Sequence, residues 1–214
     1  MYKKLGEAAL EAILESGVEE FARCGYQPAS VAKVARSAGV SVGVIYKYFG
    51  DKQAFFLACV RHSLELLDAT LREAVPEGAD AKTGVRALVR ALIDAARRHG
   101  NYNVLYNEIT SGSCRAFAPE LAREIEARTA ALYTRLFAAA RAEGTLRAEI
   151  PPERFAFFFD NLLMMLQFSY SCDYYQHRMR LYCGEEDGED ERMAEQLTRF
   201  ILGAMKGEDA CSTS

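Results

Sequence analysis

The chain has 214 residues, half of them hydrophobic, with five prolines and a formal net charge of −4. That length can bury one large core or two smaller ones, and the acidic balance excludes a polyanion binder held by net charge alone. Six cysteines without a CxxC pair and three histidines far apart exclude a disulfide framework or a metal centre that spacing would reveal. The expectation is no metal, no cofactor, and incidental thiols in a reducing cytosol. No signal peptide is legible. The most apolar stretch, Phe155 to Tyr170, is interrupted by Asp160, Asn161 and Gln167 and falls short of the ~20 residues of a membrane span. A cytoplasmic protein with no membrane partner is expected.

Strand-like alternation is nearly absent, and apolar residues recur at helical spacing instead. A first amphipathic helix carries Leu10, Ile13, Leu14, Gly17 and Phe21. Then Gly25 to Leu57 reads GYQPASVAKVARSAGVSVGVIYKYFGDKQAFFL. Ser30 is placed to cap a short helix with the stripe Val31, Val34, Ala35 and Ala38. Gly39 ends it, because the left-handed region is cheapest for glycine. Val40 falls on the buried side of the turn. Ser41 caps a second short helix whose Val44, Ile45 and Phe49 face inward. Val42, Gly43, Tyr46 and Lys47 then look outward, with Tyr48 at the edge. Gly50 ends this helix, and Asp51 caps a long helix to about Ala74 with Lys52 in its first turn.

The outward face suits a duplex. Ser41 and Gly43 are small enough to let the backbone approach a groove floor. Tyr46 and Lys47 reach phosphates or base edges, and Val42 suits a thymine methyl group. Ser30, Tyr48 and Lys52 are better placed to fix register on phosphates. From Ser30 to Lys52 four cations face one anion, a local balance of +3, while acids concentrate in GEEDGEDE from Gly184 to Glu191.

Together with Phe21, Gly25 and Tyr26, the segment VSVGVIYKYFGDK resembles the DNA-binding domain of the TetR family of bacterial transcriptional regulators. Lys3 and Lys4 resemble the short arm that often touches the DNA backbone in such proteins; the other reading of them is a frayed, solvated terminus. The resemblance implies a DNA-binding domain over residues 1–50 and a ligand-binding and dimerisation domain over 51–206, joined by the long helix over 51–74; the polar residues 207–214 are expected to form a disordered tail.

The second half predicts helices from about Lys82 to Arg98, from Tyr102 to roughly Ser111, and, after an SGS break, from Pro119 to Glu143. Another follows Pro151 and Pro152 to about Tyr182, and a last one runs from Glu189 to Met205. ERFAFFFDNLLMMLQFSY is apolar on nearly all sides, so it needs cover on both. A second copy supplies it if Leu163 and Met164 meet the last helix, with Leu197, Phe200 and Ile201, in a four-helix seam. The resembled family dimerises in this way.

The expected fold is therefore all-α: an N-terminal three-helix helix-turn-helix domain, then a larger helical domain, about nine helices in all. The family's pocket lies in the larger domain. Candidates here are Leu66, Tyr102, Tyr106, Phe158, Asn161, Met165 and Phe168, a lining suited to a largely hydrophobic small molecule, with Glu108 or Asp160 available to a cation. The expected function is a homodimeric repressor released by such an effector from a near-palindromic double-stranded DNA operator. The alternative is a helical dimeric adaptor that binds protein. Without a nucleophile elbow, phosphate loop or metal spacing, no catalytic residues and no enzyme are expected.

Overall fold

The computed structural model describes residues 5–76, 78–109, 114, 118–184 and 190–206. Lys3 and Lys4, the SGS break, most of the acidic run after Gly184 and the tail over 207–214 lie outside the described residues. Among those described, ten α-helices and no strand occur: α1 (Glu7–Cys24), α2 (Val31–Ser37), α3 (Val42–Phe49), α4 (Lys52–Ala74), α5 (Ala81–Arg98), α6 (Gly100–Ile109), α7 (Ala118–Ala142), α8 (Pro152–Ser171), α9 (Asp173–Cys183) and α10 (Asp190–Met205). None is long and apolar enough to cross a membrane.

The chain divides into two compact units, Met1–Leu66 with His99–Pro119, and Leu67–Arg98 with Glu120–Ser214. So α6 belongs with the first three helices, although α5, which precedes it, does not. In the first unit α1 packs on α2 and on α6. Its core holds Ile13, Val18, Phe21, Ile45, Phe55, Phe56 and Cys59, all essentially buried. Each large apolar side chain of this set contributes about 1.5–3 kcal/mol of transfer free energy. Phe21 meets the edge of Phe56 at 5.1 Å between centroids, and Phe49 lies 4.9 Å from Phe55. Gly17 lets α1 touch α4: a Cβ there would stand 2.5 Å from Cys59 Sγ and 2.6 Å from Phe55 Cζ.

In the second unit α5 packs on both α8 and α10. It buries Val85, Leu88, Val89, Leu92 and Ile93, the i, i+3, i+4, i+7, i+8 stripe of a core-facing helix. Tyr133 and Phe137 of α7 meet Phe159 of α8 edge-on at 5.0 and 5.2 Å. Asp80 accepts the Thr83 N–H at 2.7 Å and so caps α5. The Arg97 fork donates to both oxygens of Asp190 at 2.8 and 2.9 Å and lies 4.6 Å over the Tyr170 ring. That cluster ties α5, α8 and α10 together.

Two expectations need correction. The helix expected to run from Pro152 to about Tyr182 breaks at Cys172, whose backbone is extended (φ −108°, ψ 129°), which brings the helix count to ten. Cys172 is itself buried, and the kink leaves carbonyls that Gln176 satisfies by donating to Tyr170 O at 3.1 Å. Leu163 and Ile201, expected in a seam with a second copy, are each 1% exposed inside their own unit. They lie on the same helix faces as Phe159 and Ala194, so this chain's own core takes them. The exposed apolar surface of α8 and α10 is carried by Phe157, Phe158, Leu162 and Phe200, with Met164 and Leu197 half-buried.

Candidate nucleic-acid interface

The interface is built on the turn between α2 and α3. Gly39 has φ +68°. The Val40 N–H reaches Ala35 O at 2.9 Å and the Gly39 N–H reaches Arg36 O at 3.3 Å. These are the two bonds of a Schellman motif, which satisfies the last carbonyls of α2 and turns the chain sharply into α3. Ser30 and Ser41 occupy the N-cap positions with extended backbones, but neither side chain makes a capping hydrogen bond. Glu20 of α1 instead satisfies the N-cap residue's own amide, accepting the Ser30 N–H at 3.1 Å as a capping-box acid would, but from another helix.

Glu20 is buried and also takes the Arg23 guanidinium. Burial pushes its pKa up, but the Ser30 N–H, Arg23 and Lys33 together pull harder and hold it below the ordinary glutamate value. It stays charged and locks the start of α2 to α1. Its position follows from α1's own stripe: Glu20 shares the face of Ile13, Gly17 and Phe21, which makes it the legible signal of a buried, partnered acid.

α3 meets the expectation in outline. Ile45 is fully buried and Phe49 packs on Phe55, while Ser41, Gly43, Tyr46, Lys47 and Tyr48 are exposed and Val42 is half-buried. Tyr46 and Tyr48 each show 40% of their surface. A Cβ added at Gly43 would meet only Ser41 Oγ, at 3.8 Å, so the backbone is open to approach there. Two of the expected phosphate contacts are already engaged. Tyr48 Oη accepts the Leu5 N–H at 2.6 Å. Lys52 donates to Gln27 O at 2.8 Å and lies over the Tyr26 ring at 5.5 Å. An ammonium has three donors, so Lys52 can hold the α1–α2 connection and still face a phosphate.

The seven effector candidates divide between the units. Leu66, Tyr102 and Tyr106 belong to the first, and Phe158, Asn161, Met165 and Phe168 to the second. Tyr102 donates its hydroxyl to Glu15 of α1, and that Glu15 oxygen also bonds His62 Nε2 at 2.7 Å. Burial, then Glu15, push the Tyr102 pKa well up, so the phenol stays a donor that ties α6 to α1. Glu108 makes a second tie by accepting the Tyr26 N–H at 3.0 Å. Phe168 is buried against Tyr175 at 5.5 Å, Phe158 is half-exposed, and Asn161 donates to Phe157 O at 2.7 Å. In the second unit three cavities, of about 330, 680 and 380 Å³, are lined by other residues. Asp160 is mostly buried, and burial followed by repulsion from Glu126 pushes its pKa up to about 6.

Residues 13–59 match the family model described as bacterial regulatory proteins, tetR family. The HTH-type transcriptional regulator BetI of Stenotrophomonas maltophilia is 30% identical over 127 residues, 59% of this chain and 64% of that protein. BetI of Paraburkholderia xenovorans is 34% identical over 115 residues, 53% of this chain and 58% of its own. The chain thus matches less than two thirds of either relative's length. Among solved structures, the fatty acid degradation regulator FadR of Bacillus halodurans superposes with a TM-score of 0.74 at 17% identity, covering 92% of this chain and 100% of that one. FadR of Bacillus subtilis in complex with stearoyl-CoA gives 0.72 at 15% identity, with 92% and 100% covered. At such identities the likeness is one of fold.

Proposed function

We propose that this chain, whose residues 13–59 match the tetR family model, is a transcriptional regulator of that family and works as a homodimeric repressor. In this reading a small, largely hydrophobic molecule releases it from a near-palindromic operator. The observation that carries the DNA reading is the outer face of α3: Ser41, Gly43, Tyr46 and Lys47 exposed above a buried Ile45. A protein-binding adaptor has no reason to keep that face small and cationic, which disfavours the alternative.

Two such helices related by a two-fold axis address successive major grooves ~34 Å apart, hence a near-palindromic site. The exposed Phe157, Phe158, Leu162 and Phe200 are apolar surface that a second copy would cover. The aromatic and thioether candidates in the two units favour an apolar effector, and the stearoyl-CoA complex of a protein with this fold makes a long-chain acyl thioester the first compound to try. Such an effector must bind the operator-free form better, and a coupling of ~1–3 kcal/mol changes operator affinity roughly 5- to 150-fold.

The test begins with selection of duplexes from a random pool by the purified chain. Recovery of a two-fold repeat supports the reading, and a pool that stays random refutes it. With the recovered duplex, Tyr46→Ala or Lys47→Ala should weaken binding while light scattering shows the assembly unchanged; unaltered affinity in both would remove α3 as the reading element. Stearoyl-CoA, added in a thermal-shift assay and then to the complex, should raise the melting temperature and lower DNA affinity. A shift without loss of DNA affinity contradicts induction.

A further inference from the structure

The largest of the three cavities, about 680 Å³, is lined by none of the seven effector candidates, and every residue that shapes it belongs to the second unit. One wall is a single face of α7, on which Leu132, Arg135, Leu136 and Ala139 follow at i, i+3, i+4 and i+7. The other wall is the end of α4, with Arg72 and Val75, and the turn after it, where the Ala79 N–H donates to Pro76 O at 3.1 Å. Leu136 belongs to the core cluster of this unit, and Val75 and Leu132 pack against it, so the floor is apolar. Gly84 of α5 adds depth. A Cβ there would stand 2.8 Å from Leu136 Cδ1, so a residue without one lets Leu136 settle onto α5 and leaves the space above it open.

The rim is cationic. Arg72 and Arg135 are both exposed, and the described lining holds no acid. Arg72 gives one edge of its guanidinium to Asp68 of its own helix, at 3.0 and 3.2 Å. A guanidinium has five donors, so others remain for a ligand. Arg135 makes no ion pair among the described residues. Two arginines and one aspartate give this rim a net charge of +1. One carboxylate balances that charge, whereas a doubly charged phosphate ester exceeds it, and the guanidinium fork matches a carboxylate in shape. An uncharged apolar molecule would use the floor alone, and a small inorganic anion the rim alone. We propose that this cavity binds an amphipathic carboxylate of the fatty-acid kind, its tail on Val75, Leu132 and Leu136 and its head at Arg72 and Arg135. The volume suits such a ligand, since small-molecule pockets span about 300–1,000 Å³. The claim goes beyond the operator reading and does not depend on it.

The experiment is titration calorimetry on the full chain with octanoate, kept below its micelle concentration, beside octanol as the tail alone and inorganic phosphate as the charge alone. Octanoate should bind about tenfold or more tightly than either, a factor that one charge-assisted hydrogen bond supplies. Arg135→Gln changes an exposed position and should weaken octanoate about three- to tenfold, the range of one net hydrogen bond, while octanol binds as before. Ala139→Phe, also at an exposed position, fills the groove and should weaken octanoate and octanol alike. Circular dichroism confirms that both variants keep the parent's helicity. Octanoate that fails to bind the parent, or binds no better than octanol, overturns the proposal. So does octanoate affinity unchanged in both variants, which would put the ligand elsewhere on the chain. A loss of octanol binding in Arg135→Gln would overturn the head assignment, since the arginine would then act by packing its stem. No DNA enters these titrations, so their failure and that of the operator reading are told apart.

Discussion

One substitution, glycine to alanine, should act with opposite sign at two positions of the first unit, for reasons visible in the packing. At Gly17 the added methyl group would stand 2.5 Å from Cys59 Sγ and 2.6 Å from Phe55 Cζ, well inside ordinary van der Waals separation. Both neighbours are fully buried, so neither has solvent to move into. Overpacking of this kind costs about 1–3 kcal/mol, while alanine regains at most about 1 kcal/mol of helix propensity. Two contacts this short place the cost in the upper half of that range, about 2–3 kcal/mol, which leaves a loss of about 1–2 kcal/mol, or about 2–8 °C in melting temperature for a chain of this size. At Gly43 the methyl meets only Ser41 Oγ at 3.8 Å, so the propensity gain stands nearly alone and Gly43→Ala should melt slightly higher than the parent. If α3 enters a groove as proposed, the same methyl would stand between its backbone and the groove floor and should weaken DNA binding about tenfold, the scale of one mismatched base pair. Thermal unfolding by circular dichroism and a binding titration read both signs. A Gly17→Ala protein as stable as the parent would mean that α1 and α4 do not approach as described; a Gly43→Ala protein with full DNA affinity would mean that α3 does not enter a groove at this point.

Glu20→Gln should cost about 1 kcal/mol near neutral pH, where the charged carboxylate accepts from Ser30 and Arg23. A folded pKa held below the unfolded value of about 4.3 stabilises fully above that value and is lost as pH falls through the folded one. The deficit against the parent should therefore vanish in acid, and one that persisted there would assign Glu20 a packing role only. Asp160 has the opposite sign: its folded pKa, about 6, lies above the unfolded ~3.9, so its contribution declines as pH rises between them. Asp160→Asn should thus raise the melting temperature at pH 7.5 and leave it unchanged at pH 3.5; a uniform shift at both would contradict the titration. Phe200→Glu, on an exposed position of α10, should give a folded chain of half the parent's mass by light scattering, whereas Ile201→Glu charges the core and should lose helicity. A Phe200→Glu protein with the parent's mass would move the seam elsewhere.

What the sequence made legible follows the range of the forces involved. The turn at Gly39, the buried Ile45 and the Asp51 cap, whose carboxylate accepts the Ala54 N–H at 2.8 Å, are each decided within a few residues, so local chemistry is enough to foresee them. The outward face of α3 is legible for the same reason, because 3.6-residue spacing sets which side of a short helix faces away from its stripe. Reading fails where a partner comes from far along the chain. Ser30 and Ser41 have the right chemistry for caps, yet neither hydroxyl makes a cap bond; Glu20 takes the Ser30 N–H from ten residues away, and Tyr48 is engaged by a residue 43 positions earlier. Leu163 and Phe157 are both apolar, and only the packing of distant helices against α8, α5 among them, decides that one is buried and the other 63% exposed. The same limit explains Tyr102 and Glu108. On a sequence map they fall in the larger half, after α5, but their hydrogen bonds run to Glu15 and Tyr26. These bonds make α6 part of the unit that carries α2 and α3. Tyr102 and Glu108 are therefore better read as ties that hold α6 to α1 and to the α1–α2 connection than as the lining of a pocket.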